Sequence, residues 1–290
     1  MKYFVKLIRK LIWKRWLPRL NLFFQDFDRN PPVLVYQMGK VGSEAVCESI
    51  KRSAIPNQVY HVHFLSYDNL DDVEKYHKSV GAMDALTPVR FWRALRRKLD
   101  RTKSKVYLIS LVREPVAREI SDVFQNMTTH HRQLLSNDGT VDVEKAVGYI
   151  ATLFTGFNEE ADYAGTWFQK EVMVTYGIDV YGKPFDHVRG FSIFENDRAK
   201  LLLLRMEDLS AVFTDAMKEF MGISVPLLSK NEASSKGYYD AYKATLMKIT
   251  QQNADVTRVY NSRYAKHFYP DDVRMKLMNK WMPGTPMEAK

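Results

Sequence analysis

The sequence predicts an α/β fold in which helices cover both faces of a central parallel sheet. Three runs are apolar along nearly their whole length: VLVYQ (33–37), KVYLISLV (105–112) and KLLLLRM (200–206). Strands of this composition are usually buried on both faces. Segments with helical spacing lie between these runs, and such alternation is typical of a parallel sheet between two layers of helices. The expected architecture is therefore three-layered.

The other elements follow from their local patterns. QVYHVHFL (58–65) has the composition of a second strand, and Ser43 to Ser53 has helical spacing with Val46 and Ile50 apolar. Further helices are predicted at 68–104, 115–127, 141–170 and DLSAVFTDAMKEFMGI (208–223). Short strands are predicted at EVMVTYGI (171–178) and GFSIFE (190–195).

The length allows one large α/β domain or two small ones, and because nothing marks a second boundary after residue 30, a single domain is expected. The chain has 290 residues, of which 46% are hydrophobic and 27% charged, so it has enough apolar residues for a sizeable core. Asn30-Pro31-Pro32 marks the expected boundary between an N-terminal arm, residues 1–30, and a single domain, residues 31–290. Cys47 is the single cysteine, so an internal disulfide is excluded and nothing indicates an oxidising compartment.

The positive charge is concentrated at the N-terminus. The net charge is +9, and because the first 19 residues hold seven basic residues and no acid, residues 20–290 carry only +2. A nearly balanced body argues against a general nucleic-acid-binding face, so no nucleic-acid partner is expected. The seven basic residues are Lys2, Lys6, Arg9, Lys10, Lys14, Arg15 and Arg19.

Residues 1–20 also have an amphipathic pattern. At 100° per residue, their apolar side chains fall mostly on one side of a helix and the basic ones on the other. This pattern is typical of a helix that lies on a membrane surface, and packing on the domain is the alternative. The segment lacks the apolar stretch of a signal peptide, and it is too short and too charged to span a bilayer.

The turn after the first strand reads QMGKVGS (37–43). A strand–loop–helix unit points backbone N–H groups and a helix N-terminus at an anion. Gly39 and Gly42 allow a tight path, Ser43 can cap the helix and donate to the anion, and Lys40 adds a positive charge. The order differs from the G-x-x-x-x-G-K-[ST] loop of ATP and GTP enzymes. An exposed Gly-Lys turn is the alternative.

A second anion-binding element follows the third strand. Arg113 stands at the carboxyl end of that strand, where parallel sheets bind ligands, and Ser121 follows eight residues later, two turns into the next helix. Both side chains can therefore face one phosphate. In the alternative, Arg113 pairs with Glu114 or Glu119, and Ser121 packs within the helix.

Together these motifs resemble the sulfotransferases that use 3′-phosphoadenosine 5′-phosphosulfate (PAPS). The resemblance rests on QMGKVGS, LVREPVAREISDVF and LLLLRMEDLSAVFTDAMKEFMGI, which occur in the expected order across residues 33–223. It implies a P-loop-NTPase-like fold, and it assigns Arg113 and Ser121 to the 3′-phosphate. The loop residues that it assigns to the 5′-phosphosulfate are Met38, Gly39, Lys40, Val41, Gly42 and Ser43.

The resemblance also implies that the sulfuryl group is what moves. No Walker-type serine or threonine follows Lys40 to hold Mg²⁺, and no acidic metal pair is evident, so no metal is expected. We expect Lys40 to neutralise charge on the bridging oxygen as the sulfuryl group leaves.

Two histidines of the second strand are candidates for the base. His61 and His63 lie on one face of QVYHVHFL, near the loop, and histidine suits proton removal near neutral pH. The H-x-H element also resembles the second strand of glycan sulfotransferases that modify uronic acids. His63 is the first candidate because it is nearer the end of the strand. Two histidines without a third ligand do not predict a metal site.

Three other features of the sequence allow two interpretations each. Lys236, before Gly237, matches the late basic-Gly loop with which the resembled family closes over the 3′-phosphate, or it lies in a plain surface loop. The basic stretch 90–105 is a solvated helix face or a groove for an acidic glycan. The aromatic residues between Tyr163 and Phe191 are core residues or stack on sugars.

The sequence therefore predicts a PAPS-dependent sulfotransferase that acts on a hydroxyl of a carbohydrate, as a surface or capsular polysaccharide or its lipid-linked precursor. A resemblance to capsular-polysaccharide enzymes, including NKW at 279–281, supports this acceptor. The expected location is the cytoplasm, with residues 1–20 at the inner membrane face. The alternatives are a P-loop kinase or NTPase with a degenerate loop, and a non-catalytic peripheral membrane protein that binds a phosphorylated ligand.

Overall fold

A five-stranded sheet forms the centre of the protein. The computed structural model describes residues 22–228 and 237–283. The strands lie in the order β2-β1-β3-β5-β4. Their bounds are β1 Val33–Tyr36, β2 Val59–Val62, β3 Val106–Val112, β4 Phe191–Glu195 and β5 Ala199–Arg205.

Helices and turns connect the strands and extend the chain beyond the sheet. The α-helices are α1 Ser43–Arg52, α2 Tyr67–Ser79, α3 Leu86–Leu99, α4 Pro115–Gln125, α5 Met127–His130, α6 Val143–Thr155, α7 Tyr163–Trp167, α8 Val174–Tyr176, α9 Leu209–Met221, α10 Tyr239–Gln251, α11 Thr257–Asn261, α12 Arg263–Phe268 and α13 Asp271–Trp281. A π-helix covers Phe168–Met173, and 3₁₀ turns cover Met83–Ala85, Arg132–Leu134, Val180–Gly182 and Met206–Asp208.

The strand pairing is parallel except at one edge. β1 pairs in parallel with both β2 and β3, so that Val35 faces His61 on one side and Ile109 on the other. β3 pairs in parallel with β5, whereas β4 is antiparallel to β5. The prediction of an α/β protein with a central, mostly parallel sheet is confirmed, and the predicted strand at 190–195 is the antiparallel edge.

The predicted strand at 171–178 is wrong, because this segment is helical. Its β-branched residues favour a strand locally, but burial follows the helical period. Glu171, Val172, Thr175 and Tyr176 are buried, whereas Met173 and Val174 between them are exposed. A strand would alternate these environments at every residue, so packing of the helical face determines the outcome. The helix predicted over 141–170 is likewise divided, into α6 and α7.

The core has two parts. One surrounds the sheet, and the other joins α4 and α6 to the C-terminal helices. Leu22 and Phe27 are buried in the first part, so the chain just before Asn30 packs on the domain. The prediction for the start of the arm, residues 1–21, falls outside the described residues. Within the described ranges, no helix combines the length and the apolar character needed to cross a membrane.

Candidate functional site

The candidate residues converge where the order of the strands reverses. β1 lies between β2 and β3, so the chain leaves β1 for a strand on one side and later returns to its other side. In open α/β sheets, ligands bind outside the carboxyl ends of the strands at such a point. Gln37 follows β1, His63 follows β2, and Arg113 follows β3. The three predicted elements therefore share one edge of the sheet.

The apolar residues of the loop after β1 anchor it in the core. Met38 and Val41 are fully buried, which leaves Gly39 and Lys40 on the outer side. A Cβ atom on Gly39 would meet nothing within 4 Å, so there is open space above the loop. Lys40 has a left-handed backbone with φ 72°, which costs a non-glycine residue about 1–2 kcal/mol. Such strain in a loop is typical of a functional site.

Gly42, and not Ser43, is the N-cap of α1. Gly42 has φ 80°, and no side-chain hydrogen bond caps the helix. The predicted cap at Ser43 is therefore wrong: Ser43 is already the first helical residue, and its hydroxyl accepts a hydrogen bond from Gln37 Nε2 at 2.7 Å. The helix N-terminus remains open toward the loop, as the anion-binding prediction requires.

Arg113 is joined directly to the loop. Its Nη1 donates to the carbonyl oxygen of Lys40 at 2.9 Å, and its backbone is held by Tyr264, whose hydroxyl donates to the Arg113 carbonyl at 2.9 Å. The alternative pairing with acidic neighbours is not what is observed. Glu114 caps α4 by accepting from Val116 and Ala117, and Glu119 pairs with Arg118. Ser121 lies in α4, partly buried, two turns after Arg113.

The Lys40 ammonium reaches α4, where it donates to Gln125 Oε1. Gln125 is exposed at the end of the helix, so Lys40 lies at the surface between the loop and α4. In this position its charge borders the open space above Gly39. The geometry is consistent with the predicted role of Lys40, which stays a prediction.

Gln37 connects both candidate histidines to the loop. Its Nε2 donates to Ser43 Oγ at 2.7 Å and lies 3.0 Å from His61 Nε2, and Ser43 Oγ lies 3.0 Å from the same His61 nitrogen. His61 Nε2 therefore lies within hydrogen-bond distance of both Gln37 and Ser43. His63 Nδ1 lies 3.3 Å from Gln37 Nε2, and at 3.0 Å it lies closer to the Gln37 carbonyl oxygen. A carbonyl only accepts, so His63 Nδ1 carries the proton and Nε2 has the lone pair.

Burial keeps both imidazoles neutral. It lowers the pKa of His61 to about 4, with smaller contributions in the same direction from the neighbouring His63 and Lys51. Burial also lowers the pKa of His63, while its hydrogen bond to the backbone of Gln37 and the nearby Glu44 act in the opposite direction. A neutral imidazole is the form that accepts a proton from a hydroxyl.

The segment after β2 is held in place by a buried carboxylate. Glu171 accepts hydrogen bonds from the backbone N–H groups of Leu65 and Ser66 at 2.7 and 2.9 Å, from the Ser66 hydroxyl at 2.8 Å, and from Tyr36 and Asn69. Trp167 Nε1 donates to the His63 carbonyl at 3.2 Å. These contacts fix the chain on either side of Phe64, and hence the position of His63.

Sequence reasoning missed Gln37 and Glu171. Gln37 is the first residue of the loop motif, and a polar residue at the end of an apolar strand is a signal that could have identified it. Glu171 had no such signal, because it precedes a β-branched run that suggested a strand. Its π-helix was not predictable from that composition, although π-helical turns are frequent at functional sites.

A polar cluster on α4 lies beside the loop. Arg118 is 2% exposed and pairs with Glu119, and its guanidinium centre lies 5.5 Å from the ring centroid of Tyr163. Burial raises the pKa values of Glu119 and Asp162, while the positive charge of Arg118 opposes this shift. Glu119 lies on α4 and Asp162 precedes α7, so carboxylates from two elements lie near the Arg118 guanidinium.

The residues after β5 tie the sheet to the C-terminal helices. Arg205 pairs with Asp208 and donates to the carbonyl oxygens of Phe268 and His187 at 3.2 and 3.1 Å. Glu207 accepts from the backbone N–H of Glu114 at 2.8 Å and thereby connects β5 to the start of α4. The R-x-E-D element, Arg205 to Asp208, thus stabilises the segment that follows Arg113.

The remaining predictions have mixed outcomes. Lys236 lies outside the described residues. The basic stretch 90–105 is largely ion-paired or exposed, with Arg93 bonded to Asp71 and Glu74, which agrees with a solvated face. Four aromatic side chains of the 163–191 region pack in the core rather than facing solvent: Trp167, Tyr176, Tyr181 and Phe185. Within residues 22–228 and 237–283, no group of three or more His, Cys, Asp or Glu side chains is arranged to hold a metal ion.

Comparison with known proteins associates the chain with polysaccharide synthesis. A family model described as NKWYS, putative capsular polysaccharide synthesis protein, matches residues 138–270. The match covers less than half of the chain: it includes the π-helix, β4 and β5, but neither the loop after β1 nor Asn279-Lys280-Trp281. No curated protein matches the chain. The function class that this match supports is a biosynthetic enzyme with a carbohydrate substrate.

Proposed function

We propose that the protein is a PAPS-dependent sulfotransferase that acts on a carbohydrate hydroxyl and has a P-loop-like α/β domain. The observation that carries this proposal is the 2.9 Å hydrogen bond from Arg113 Nη1 to the Lys40 carbonyl. The resemblance assigns Arg113 to the 3′-phosphate of one nucleotide and the loop after β1 to its 5′-phosphosulfate. These two elements lie in direct contact where the strand order of the sheet reverses. One extended ligand with two anionic ends fits such an arrangement.

The proposed chemistry needs one group that stabilises the negative charge on the leaving oxygen and one base. The acceptor hydroxyl oxygen forms a bond to sulfur while the bond from sulfur to the bridging phosphate oxygen breaks. The hydroxyl proton goes to Nε2 of His63, and the negative charge that remains on the 5′-phosphate is neutralised by Lys40 and by the N–H groups of the loop. Adenosine 3′,5′-bisphosphate is the leaving group. His61 positions Ser43 and Gln37 in this scheme.

The acceptor is proposed to be a surface or capsular polysaccharide or its lipid-linked precursor. The family match to a capsular polysaccharide synthesis protein supports the carbohydrate class. The carboxylates and tyrosine near Arg118, namely Glu119, Asp162 and Tyr163, offer the hydrogen-bond acceptors and aromatic edge that a sugar ring uses. A cytoplasmic enzyme with residues 1–20 at the inner membrane face would meet lipid-linked precursors directly.

Calorimetric titration with adenosine 3′,5′-bisphosphate tests this function. The wild type should bind the bisphosphate, ATP should bind weakly, and Arg113→Ala should lose at least about tenfold in affinity, because a charge-assisted contact to the 3′-phosphate is removed. Arg189→Ala is the control, since Arg189 pairs with Glu219 at the surface, on the loop that precedes β4. A folded protein that binds no bisphosphate contradicts the proposal. Mg²⁺-dependent ATP binding in its place would favour a kinase, and binding of neither would favour a non-catalytic membrane protein.

A further inference from the structure

An exposed aromatic pair stands beside a basic cavity at the N-terminal edge of the domain. Phe23 and Phe24 are each 77% exposed, and their rings contact each other edge to face with centroids 5.4 Å apart. Large apolar side chains exposed as a contiguous pair commonly mark a site of interaction. The surface defined by Phe23, Phe24, Arg97, Lys98 and Arg101 is called the aromatic-basic surface below.

The exposure of the two rings does not result from a loose chain. Leu22 and Phe27, in the same segment, are buried at 3% exposure each. Lys98 of α3 donates to the carbonyl oxygens of Leu22 and Phe23 at 2.7 and 3.2 Å. The backbone below the aromatic pair is therefore fixed on both sides, and the rings are held outward. A rigid apolar projection loses little conformational entropy when it is buried.

Beside the two rings, a cavity of about 530 Å³ separates residues 22–28 from α3. Arg97, Lys98 and Arg101 contribute to its lining, and both arginines are exposed. Asp26 and Asp28 also border it, but their carboxylates accept backbone N–H groups, those of Arg29 at 3.1 Å and of Ser104 at 2.9 Å. The lining therefore combines three basic side chains with two carboxylates, and the exposed guanidinium groups of Arg97 and Arg101 are the cations available to an incoming anion.

The sequence that precedes this surface has a similar composition. The 19 residues at the N-terminus carry seven Lys and Arg residues, no acid and many apolar residues. Basic groups near a membrane with anionic lipids each contribute about 1 kcal/mol to binding, and aromatic residues insert at the headgroup level. An anionic bilayer accommodates projecting aromatic rings and neighbouring guanidinium groups together, which favours it as the partner of this surface.

We infer that the aromatic-basic surface of the folded domain binds the headgroup region of an anionic bilayer, with Phe23 and Phe24 inserted and Arg97 and Arg101 on lipid phosphates. This inference concerns residues outside the transfer site and does not depend on which reaction the protein catalyses. It assigns a membrane contact to the domain itself, in addition to residues 1–20.

Sedimentation of the full-length protein with vesicles tests the inference. The protein should bind vesicles that contain 30% phosphatidylglycerol and not vesicles of phosphatidylcholine alone. Phe23→Ser/Phe24→Ser and Arg97→Glu/Arg101→Glu should each lower the partition coefficient by about tenfold or more. Matched controls are Val188→Ser, at a position that is 98% exposed, and Lys276→Glu/Lys280→Glu, which makes the same charge change on α13. The controls should bind as the wild type does.

Three outcomes would overturn the inference. Both test variants could bind as tightly as the wild type, which would assign any membrane binding to residues 1–20 alone. Binding could be equal on neutral and anionic vesicles, which would exclude the guanidinium–phosphate contacts. Inorganic phosphate at low millimolar concentration could displace the protein from vesicles while Phe23→Ser/Phe24→Ser has no effect, which would identify a site for a soluble anion. All of the substituted residues are exposed or half-buried, so loss of folding, checked by circular dichroism, is not expected.

Discussion

The Nδ1 atom of His63 lies 3.0 Å from the carbonyl oxygen of Gln37. Since this carbonyl can only accept, the contact fixes the proton on Nδ1 and leaves a lone pair on Nε2. Gln37 Nε2 and the Ser43 hydroxyl oxygen each lie 3.0 Å from the Nε2 atom of His61. The two histidines therefore have different roles available to them: His63 can accept a substrate proton, and His61 holds the loop.

The first prediction concerns His63 as the base. His63→Ala should lower kcat for sulfuryl transfer by about 10²-fold or more while leaving bisphosphate affinity unchanged, because general base catalysis typically contributes that much. His130→Ala is the control, since His130 is exposed. Steady-state kinetics with a carbohydrate acceptor, together with calorimetry, would check this. Equal rates for His63→Ala and wild type would exclude His63 as the base.

The pH dependence of the rate gives a separate prediction. Burial lowers the pKa of His63 from its ordinary value of 6.5, so the neutral, active form persists below pH 6.5. The rate constant kcat/KM should therefore be constant near neutral pH and fall as the pH decreases, with a midpoint below 6.5. A pH–rate profile measures this midpoint. A midpoint above 6.5 would contradict the assignment.

His61 should affect stability more than chemistry. Its pKa is about 4 in the folded protein and about 6.5 when unfolded, so the unfolded state binds more protons between these values. The contribution of neutral His61 to the free energy of unfolding is fully present above pH 6.5, and up to about 3 kcal/mol of it should be lost as the pH decreases to 4. In His61→Asn this part of the loss should disappear. Urea denaturation at pH 7 and pH 4.5 would show the difference, and an unchanged pH dependence in His61→Asn would disprove the prediction.

The sequence and the structure agree most closely where local pattern and tertiary role coincide. The apolar runs at 33–37, 105–112 and 200–206 are buried on both faces, so their composition alone predicts strands, and the motif residues fall at their carboxyl ends. Gln37 and Glu171 were not predicted, because their importance arises from partners that are distant in sequence. Glu171 meets Leu65 and Ser66 across more than 100 residues. No local pattern contains that information.

The strained backbone at Lys40 leads to a comparison of two substitutions. Lys40→Ala and Lys40→Gly both remove the ammonium group, and both should abolish transfer. They should differ in stability, because φ 72° is unfavourable for alanine and not for glycine. Lys40→Gly should therefore be more stable than Lys40→Ala by about 1 kcal/mol. Chemical denaturation measures the difference. If Lys40→Ala is the more stable, the left-handed conformation is not populated in solution.

Glu171→Gln tests whether the π-helix positions the candidate base. The side chain is fully buried, and its carboxylate only receives hydrogen bonds, from the N–H groups of Leu65 and Ser66 and from side-chain donors. Glutamine would turn an N–H₂ group toward one of these donors, and an unsatisfied buried donor costs about 1–3 kcal/mol. Glu171→Gln should therefore lower the free energy of unfolding by that amount, whereas Glu160→Gln, at an exposed position, should have no effect. Loss of these hydrogen bonds would displace Leu65 and Ser66, which follow His63 in the chain. In Glu171→Gln, kcat should therefore fall while bisphosphate affinity is retained. A destabilised variant with an unchanged kcat and pH–rate profile would show that Glu171 supports the fold alone and does not position His63.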